Sequence, residues 1–211
     1  MRITKAQSAE NRSSLIQAAA RLFRKHGIDG VGVAEISKEA GLTHGALYAH
    51  FPSKQALAAE ALSDGLLRGH TTMTALKDGG EPTLADYLEF YVSAMHRDDV
   101  AAGCAISASA SEIGRHDAAI SARFTEGFTR MVDVVERALG ASNSKREDHQ
   151  RALTIVAAMV GSIALARATA KSRPELSDDI LVAVRRVLGD LGGAARKPGK
   201  ARPARGKKPA R

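Results

Sequence analysis

Proline placement constrains this chain more than any other feature. There are six prolines in 211 residues, and Pro198, Pro203 and Pro209 all lie within the last fourteen. The body is therefore nearly free of the residue that breaks helices. Aromatic residues make up only 4% and Trp is absent, so the core has to come from Ala, Leu, Ile and Val. An all-α fold is expected. With 44% hydrophobic and 26% charged residues, the chain has a globular composition and the length for one good-sized domain or two small ones. The single Cys104 has no disulfide partner within the chain, which makes reducing cytoplasm the expected compartment. Gln17 and Arg21 interrupt the apolar run Leu15 to Phe23, so no signal peptide is expected. The longest uncharged run, fifteen residues between Arg151 and Arg167, falls short of the roughly 18–20 apolar residues that span a bilayer. No membrane partner is expected, and the run reads as a helix buried on nearly all sides.

Charge is polarised along the chain. The net charge is +8, yet residues 196–211 hold eight Lys/Arg and no acid, leaving the rest balanced. Residues 1–54 carry a net +4 and residues 55–195 a net −4. A basic end on a balanced body is the pattern of a nucleic-acid-binding module. Residues 195–211, a Lys/Arg/Pro/Gly/Ala tract, cannot build a core and are expected to form a disordered basic tail.

Apolar periodicity and helix stop signals divide the remainder into about nine helices. A first helix over about 8–26 ends at Gly27. A short second one carries Val33, Ile36 and Ala40 and stops at Gly41. Thr43 caps a third, which Pro52 terminates, and Ser53 caps a fourth from Lys54 to about Leu67. Thr83 and Asp86 resemble a capping box ahead of the stripe Leu84, Leu88, Tyr91 and Met95. A small-residue segment runs from Gly103 to Gly114. Next come a helix with Ile120, Phe124, Met131, Val135 and Leu139, a helix over about Lys145 to Ala170, and a last one capped by Ser177 with the stripe Ile180, Val184, Val187 and Leu191.

Two short helices joined by a tight glycine turn have helix-turn-helix proportions, with the unit at about 32–51. The third helix would enter the major groove of double-stranded DNA. Thr43 and His44 stand at its entrance, Gly45 keeps the backbone close to the duplex, and Tyr48 and His50 present polar tips. Lys54 opens the next helix, where a cation opposes the helix dipole unless an anion such as phosphate sits there. His44 and His50 lack a second ligand at metal spacing, so no metal or cofactor is expected.

The stretches Leu15-Ile16-Gln17-Ala18-Ala19-Ala20-Arg21-Leu22-Phe23, Val33-Ala34-Glu35-Ile36-Ser37-Lys38-Glu39-Ala40-Gly41-Leu42, Gly45-Ala46-Leu47-Tyr48-Ala49-His50-Phe51 and Ser53-Lys54 resemble the TetR/AcrR family of transcriptional regulators over roughly residues 9–69. The resemblance implies a sequence-specific repressor that binds a palindromic operator as a homodimer. Its DNA contacts would be Thr43, His44, Gly45, Tyr48, His50 and Lys54, and residues 70–194 would form an effector-binding and dimerisation domain. Gly32 departs from the family, which usually has Thr or Ser there.

The last two helices are the expected homodimer surface. Ala157, Ala158, Gly161, Ala164 and Ala168 allow close approach, and Ile155, Met159, Ile163 and Leu165 fill the gaps. Gly103-Cys104 followed by Glu112 resembles the LmrA-, YxaF- and NemR-like branch, in which some members sense electrophiles through the cysteine. A thiol at a helix N-terminus gains thiolate character, although Asp98 and Asp99 oppose it, and the alternative is a small buried residue. A non-covalent small-molecule effector would draw its pocket from Tyr87, Tyr91, Met95, Phe124, Phe128, Met131 and Met159, which equally suit a plain core. An enzyme is not expected: His96 or His116 could accompany Cys104, but no nucleophile elbow, phosphate loop or carboxylate pair does. A non-specific DNA-compacting protein is the other alternative, suggested by the tail.

Overall fold

The computed structural model describes residues 4–140, 142 and 144–194; the basic tail expected at 195–211 lies outside the described residues. Ten helices and no strands occur among them: α1 Lys5–His26, α2 Val33–Glu39, α3 His44–His50, α4 Lys54–Thr74, α5 Leu84–Tyr91, α6 Ala94–Asp98, α7 Ala105–Ile113, α8 Ala118–Leu139, α9 Lys145–Ala170 and α10 Pro174–Ala194.

Local signals set most boundaries. Thr4, Thr43, Ser53, Ser93, Asp117 and Ser144 each accept a first-turn backbone N–H, the bond that replaces a missing intrahelical acceptor. Thr83 and Asp86 form a reciprocal capping box at α5. Pro174 begins α10, a position where its absent N–H costs nothing.

Four expectations need correction. The described residues form ten helices where about nine are expected, because the stripe through Met95 is broken. Tyr91 and Val92 are buried, and Ser93 then donates to Phe90 O at 2.9 Å and accepts from His96 N–H at 3.2 Å, starting α6 on a new axis. The fourth helix continues past Leu67 to Thr74, so a boundary between residues 69 and 70 falls inside α4. Ser177 lies within α10 rather than capping it. Its buried hydroxyl donates to Ala166 O at 2.8 Å and accepts from Arg97 at 2.9 Å, joining α10 to α9 and α6.

The fourth correction concerns α9, which contains an 18-residue window long and apolar enough by length and composition to cross a membrane. It is not buried on all sides. Ile155, Met159 and Ile163 face the protomer core, whereas Ala157, Ala164, Leu165 and Ala168 are exposed. The large residues assigned to a dimer seam thus fill the interior, apart from Leu165. On α10 the buried apolar residues are Leu181 and Leu188, while Val187 and Leu191 point outward.

Helix α4 links the two halves of the molecule, packing on both α1 and α8. Gly127 of α8 permits this approach: a Cβ there would lie 2.6 Å from Leu66 Cδ1. Helix α9 packs on both α8 and α10, and α10 also packs on α5.

Candidate nucleic-acid interface and inner cavity

The α2–α3 unit is built by short-range bonds. Gly41 adopts φ 70°, its N–H donates to Lys38 O at 3.0 Å, and Leu42 N–H donates to Ser37 O at 2.8 Å. This paired termination favours glycine at the left-handed position. Thr43 Oγ1 then accepts Ala46 N–H at 3.3 Å and starts α3. Ile36, Leu47 and Phe51 are buried beneath the unit. Arg12 lies over the Phe51 ring at 4.8 Å and pairs with Glu60, clamping α1 and α4 around the end of α3.

The residues that sequence places at a DNA surface line one outer edge. Thr43, His44, Gly45 and Tyr48 are exposed, with Tyr48 at 51%, and His50 and Lys54 are half-buried around the α3–α4 corner. The His44 and Tyr48 rings stand 5.2 Å apart. A Cβ on Gly45 or Gly32 would meet nothing within 4 Å, so no internal contact calls for glycine at either site.

A second site is a partly open cavity of about 140 Å³ lined by α1, α4, the α5–α6 corner, α7 and α8. Of the residues expected around an effector, Tyr91, Cys104 and Met131 line it. Tyr87 and Met159 are buried elsewhere in the core, and Met95 is 61% exposed because the break before Ser93 turns it outward. Phe124 and Phe128 stack on each other at 6.4 Å, outside the cavity wall. Sequence reasoning missed Arg24, Leu66, Arg68, His70 and Met73, all of which line it, and placed His96 beside Cys104 only in the context of an enzyme. Arg24 comes from α1, and its Nε donates to Ala101 O at 2.6 Å. Nothing in its spacing marks it, because its partner lies 77 residues away.

Burial dominates the chemistry of this cavity. The Tyr91 hydroxyl lies beside Cys104 and Ser107 without a hydrogen-bond partner, and desolvation raises its pKa well above the usual phenol value. His96 stacks on Tyr91 at 4.8 Å, and desolvation, helped by Arg167, lowers its pKa to about 4. Desolvation also lowers the pKa of Arg24. Cys104 is half-buried at the N-cap of α7 and makes no side-chain capping bond. The glycine before it has a packing reason: a Cβ on Gly103 would lie 2.5 Å from Asp99 O and 2.8 Å from an Arg167 nitrogen. Glu112, which completes that motif, lies outside the cavity wall. With Asp29 and His116 it brings three potential ligand atoms within 4.8 Å of one another, but its carboxylate already accepts the backbone N–H groups of Ile28 and Asp29.

Residues 15–61 match the family model for bacterial regulatory proteins of the tetR family, and residues 82–176 match that for the LmrA/YxaF-like transcriptional regulator C-terminal domain. The chain belongs to the TetR family. Among TetR-family relatives, it is 41% identical over 70 residues to the regulator TtgR of Pseudomonas putida, an alignment spanning 33% of either chain. It thus covers about a third of that relative's length. Similarity to LmrA of Bacillus subtilis is 28% over 172 residues, covering 79% of this chain and 91% of LmrA. The fold is shared with reduced E. coli NemR at a TM-score of 0.67 and 20% identity, covering 83% of this chain and 95% of NemR. It is also shared with a Legionella pneumophila TetR regulator at a TM-score of 0.71 and 16% identity, covering 90% of this chain and 99% of that one.

Proposed function

We propose that this TetR-family chain is a sequence-specific DNA-binding repressor. It binds a palindromic operator as a homodimer, and an effector entering the inner cavity releases it. The observation that carries this reading is the α3 edge. Thr43, His44, Gly45 and Tyr48 are exposed above a fully buried Leu47, so a rigid helix offers donors, acceptors and a close backbone to base edges. His50 and Lys54 supply phosphate contacts that set its register. Residues 9–69 act as the DNA-binding part and 70–194 as the effector and dimerisation part, with α4 running between them.

The homodimer forms through α9 and α10. Leu165, Val182, Val187 and Leu191 are large apolar side chains exposed on these two helices, beside the small residues Ala157, Ala164 and Ala168. A two-fold pairing would cover them and give the symmetry that a palindrome requires. The effector is a small molecule held non-covalently or an electrophile that alkylates Cys104, which lines the same cavity. No catalytic step belongs to this reading, and the protein acts in the cytoplasm.

Fluorescence anisotropy tests it, using full-length protein on DNA from upstream of its own gene against scrambled DNA at about physiological salt, where non-specific binding is weak. Preference for a palindromic stretch is expected. Equal affinity for random-sequence libraries and for every site selected from them would overturn sequence-specific binding. Release by an electrophile that a Cys104→Ser variant resists identifies the covalent route, and indifference to electrophiles identifies the non-covalent one.

A further inference from the structure

The cavity is charged in one sense only. Arg24, Arg68, His70 and His96 line it, and none of its described lining residues is Asp or Glu. Arg68 is already committed, donating to Asp64 at 2.7 Å, with its side chain 61% exposed. Arg24 differs: its Nε is held by Ala101 O at 2.6 Å, and its terminal nitrogens make no ion pair among the described residues. Desolvation weighs on that cation, and Asp64 offsets it only in part. This half-buried guanidinium, with Asp64 nearby but not in direct contact, can still take an anion on its terminal nitrogens. His96 adds no competing charge near neutrality, since burial holds its pKa at about 4. Leu66, Met73 and Ile106 complete an otherwise apolar wall.

We propose that the cavity takes a small organic monoanion, a carboxylate on a single-ring or similarly sized apolar body, seated with its carboxylate on Arg24. This rests on the reading of the cavity as the effector site. A cavity of roughly 150 Å³ has room for one benzene-sized body, and a guanidinium fork matches a carboxylate in geometry and charge. Gly65 makes room for the fork, because a Cβ there would lie 3.1 Å from Arg24 Nη1. Arg24 sits in the last turn of α1, so the ligand's charge is held by the DNA-binding half and its apolar body by Leu66 of α4 together with Met73 and Ile106.

Cys104, the one cysteine in the chain, lines this cavity and reports its occupancy. Benzoate, phenylacetate and hexanoate, each beside its primary amide, are titrated into full-length protein by calorimetry. Alkylation of Cys104 by iodoacetamide is followed in parallel by mass spectrometry, relative to each variant's ligand-free rate. At least one acid is expected to slow alkylation at a concentration about tenfold or more below its amide. Arg24→Gln should erase that preference, while Arg24→Lys, which keeps the charge, should retain part of it. Equal protection by acids and amides would overturn the anion and leave the cavity reading standing. An acid that binds without slowing alkylation would overturn the cavity reading itself. Absence of binding by all six compounds up to about 10 mM would overturn the assignment of this ligand class.

Discussion

The Glu112 carboxylate of α7 receives the Ile28 backbone N–H at 2.6 Å, closing the end of α1 from 84 residues away. The same oxygen accepts Asp29 N–H at 3.3 Å. The cavity-lining helix and the loop into the α2–α3 unit therefore share one carboxylate. Gly27 makes this approach possible, as a Cβ there would lie 3.0 Å from Glu112 Oε1 at φ 76°.

Glu112→Ala leaves the N–H of the buried Ile28 without an acceptor. Stability should fall by about 1–3 kcal/mol, whereas Glu112→Gln, which keeps an acceptor oxygen, should lose less. Urea denaturation of both variants checks the ranking, and equal losses would contradict it.

His96 predicts a pH dependence of stability. Its folded pKa of about 4 lies below the ordinary 6.5. As pH falls through that window, the unfolded chain takes up a proton that the folded protein refuses. Stability contributed by neutral His96 is thus fully present above about pH 6.5 and declines towards pH 4, by about 1–3 kcal/mol across the whole range. His70 shifts in the same direction and adds to the slope. His96→Phe keeps a ring against Tyr91 and removes this titration. Its stability loss between pH 7 and pH 5 should be smaller than that of the unsubstituted protein, as measured by denaturant midpoints at both pH values.

Gly45→Ala should separate folding from DNA binding. The position is helical and its surroundings are open, so Ala should stabilise α3 by about 0.4–1 kcal/mol. The added methyl stands where the backbone would meet the duplex, and operator affinity should drop about tenfold or more. Thermal melts and anisotropy are read together. Undiminished affinity would place the DNA elsewhere.

The outer faces of α9 and α10 predict the oligomeric state. Leu165→Glu with Val187→Glu places charges on exposed positions and should leave helix content intact while shifting sedimentation from dimer to monomer. Leu188→Ala, at a buried position, should instead cost about 2–5 kcal/mol of stability. A dimer that persists in the double variant would rule out this surface.

Residues 196–211 carry eight positive charges and no base-reading groups. Deleting them should flatten the salt dependence of DNA binding, each lost phosphate contact lowering the slope by about 0.9. Operator preference should be unchanged. Anisotropy across a salt series measures both quantities, and loss of preference would show that the tail takes part in specificity.

The α2–α3 unit was legible in the sequence because its devices act over a few residues. Gly41 and Thr43 bond partners three residues away, and the same is true of Ser53 at α4 and of Thr83 with Asp86 at α5. The cavity was only partly legible. Tyr91 and Cys104 belonged to visible patterns, but Met95 shared the periodicity of Tyr91 and points the opposite way, because Ser93 restarts the helix between them. Phe124 and Met131 lie on one helix at core spacing, and only Met131 reaches the cavity.

The sequence by itself determined an all-helical TetR-family chain, the caps at Thr43, Ser53 and Thr83, and the edge of α3 that faces outward, since a cap or an apolar stripe depends on neighbours within one or two turns. Tertiary structure alone decided that Arg24 reaches Ala101 and Glu112 reaches Ile28, and which face of α9 fills the protomer. Those outcomes depend on how helices separated by many tens of residues cross. Crossing is set by side-chain volume at the contact, such as the Cβ missing from Gly127 against Leu66, which no periodicity along a single helix encodes.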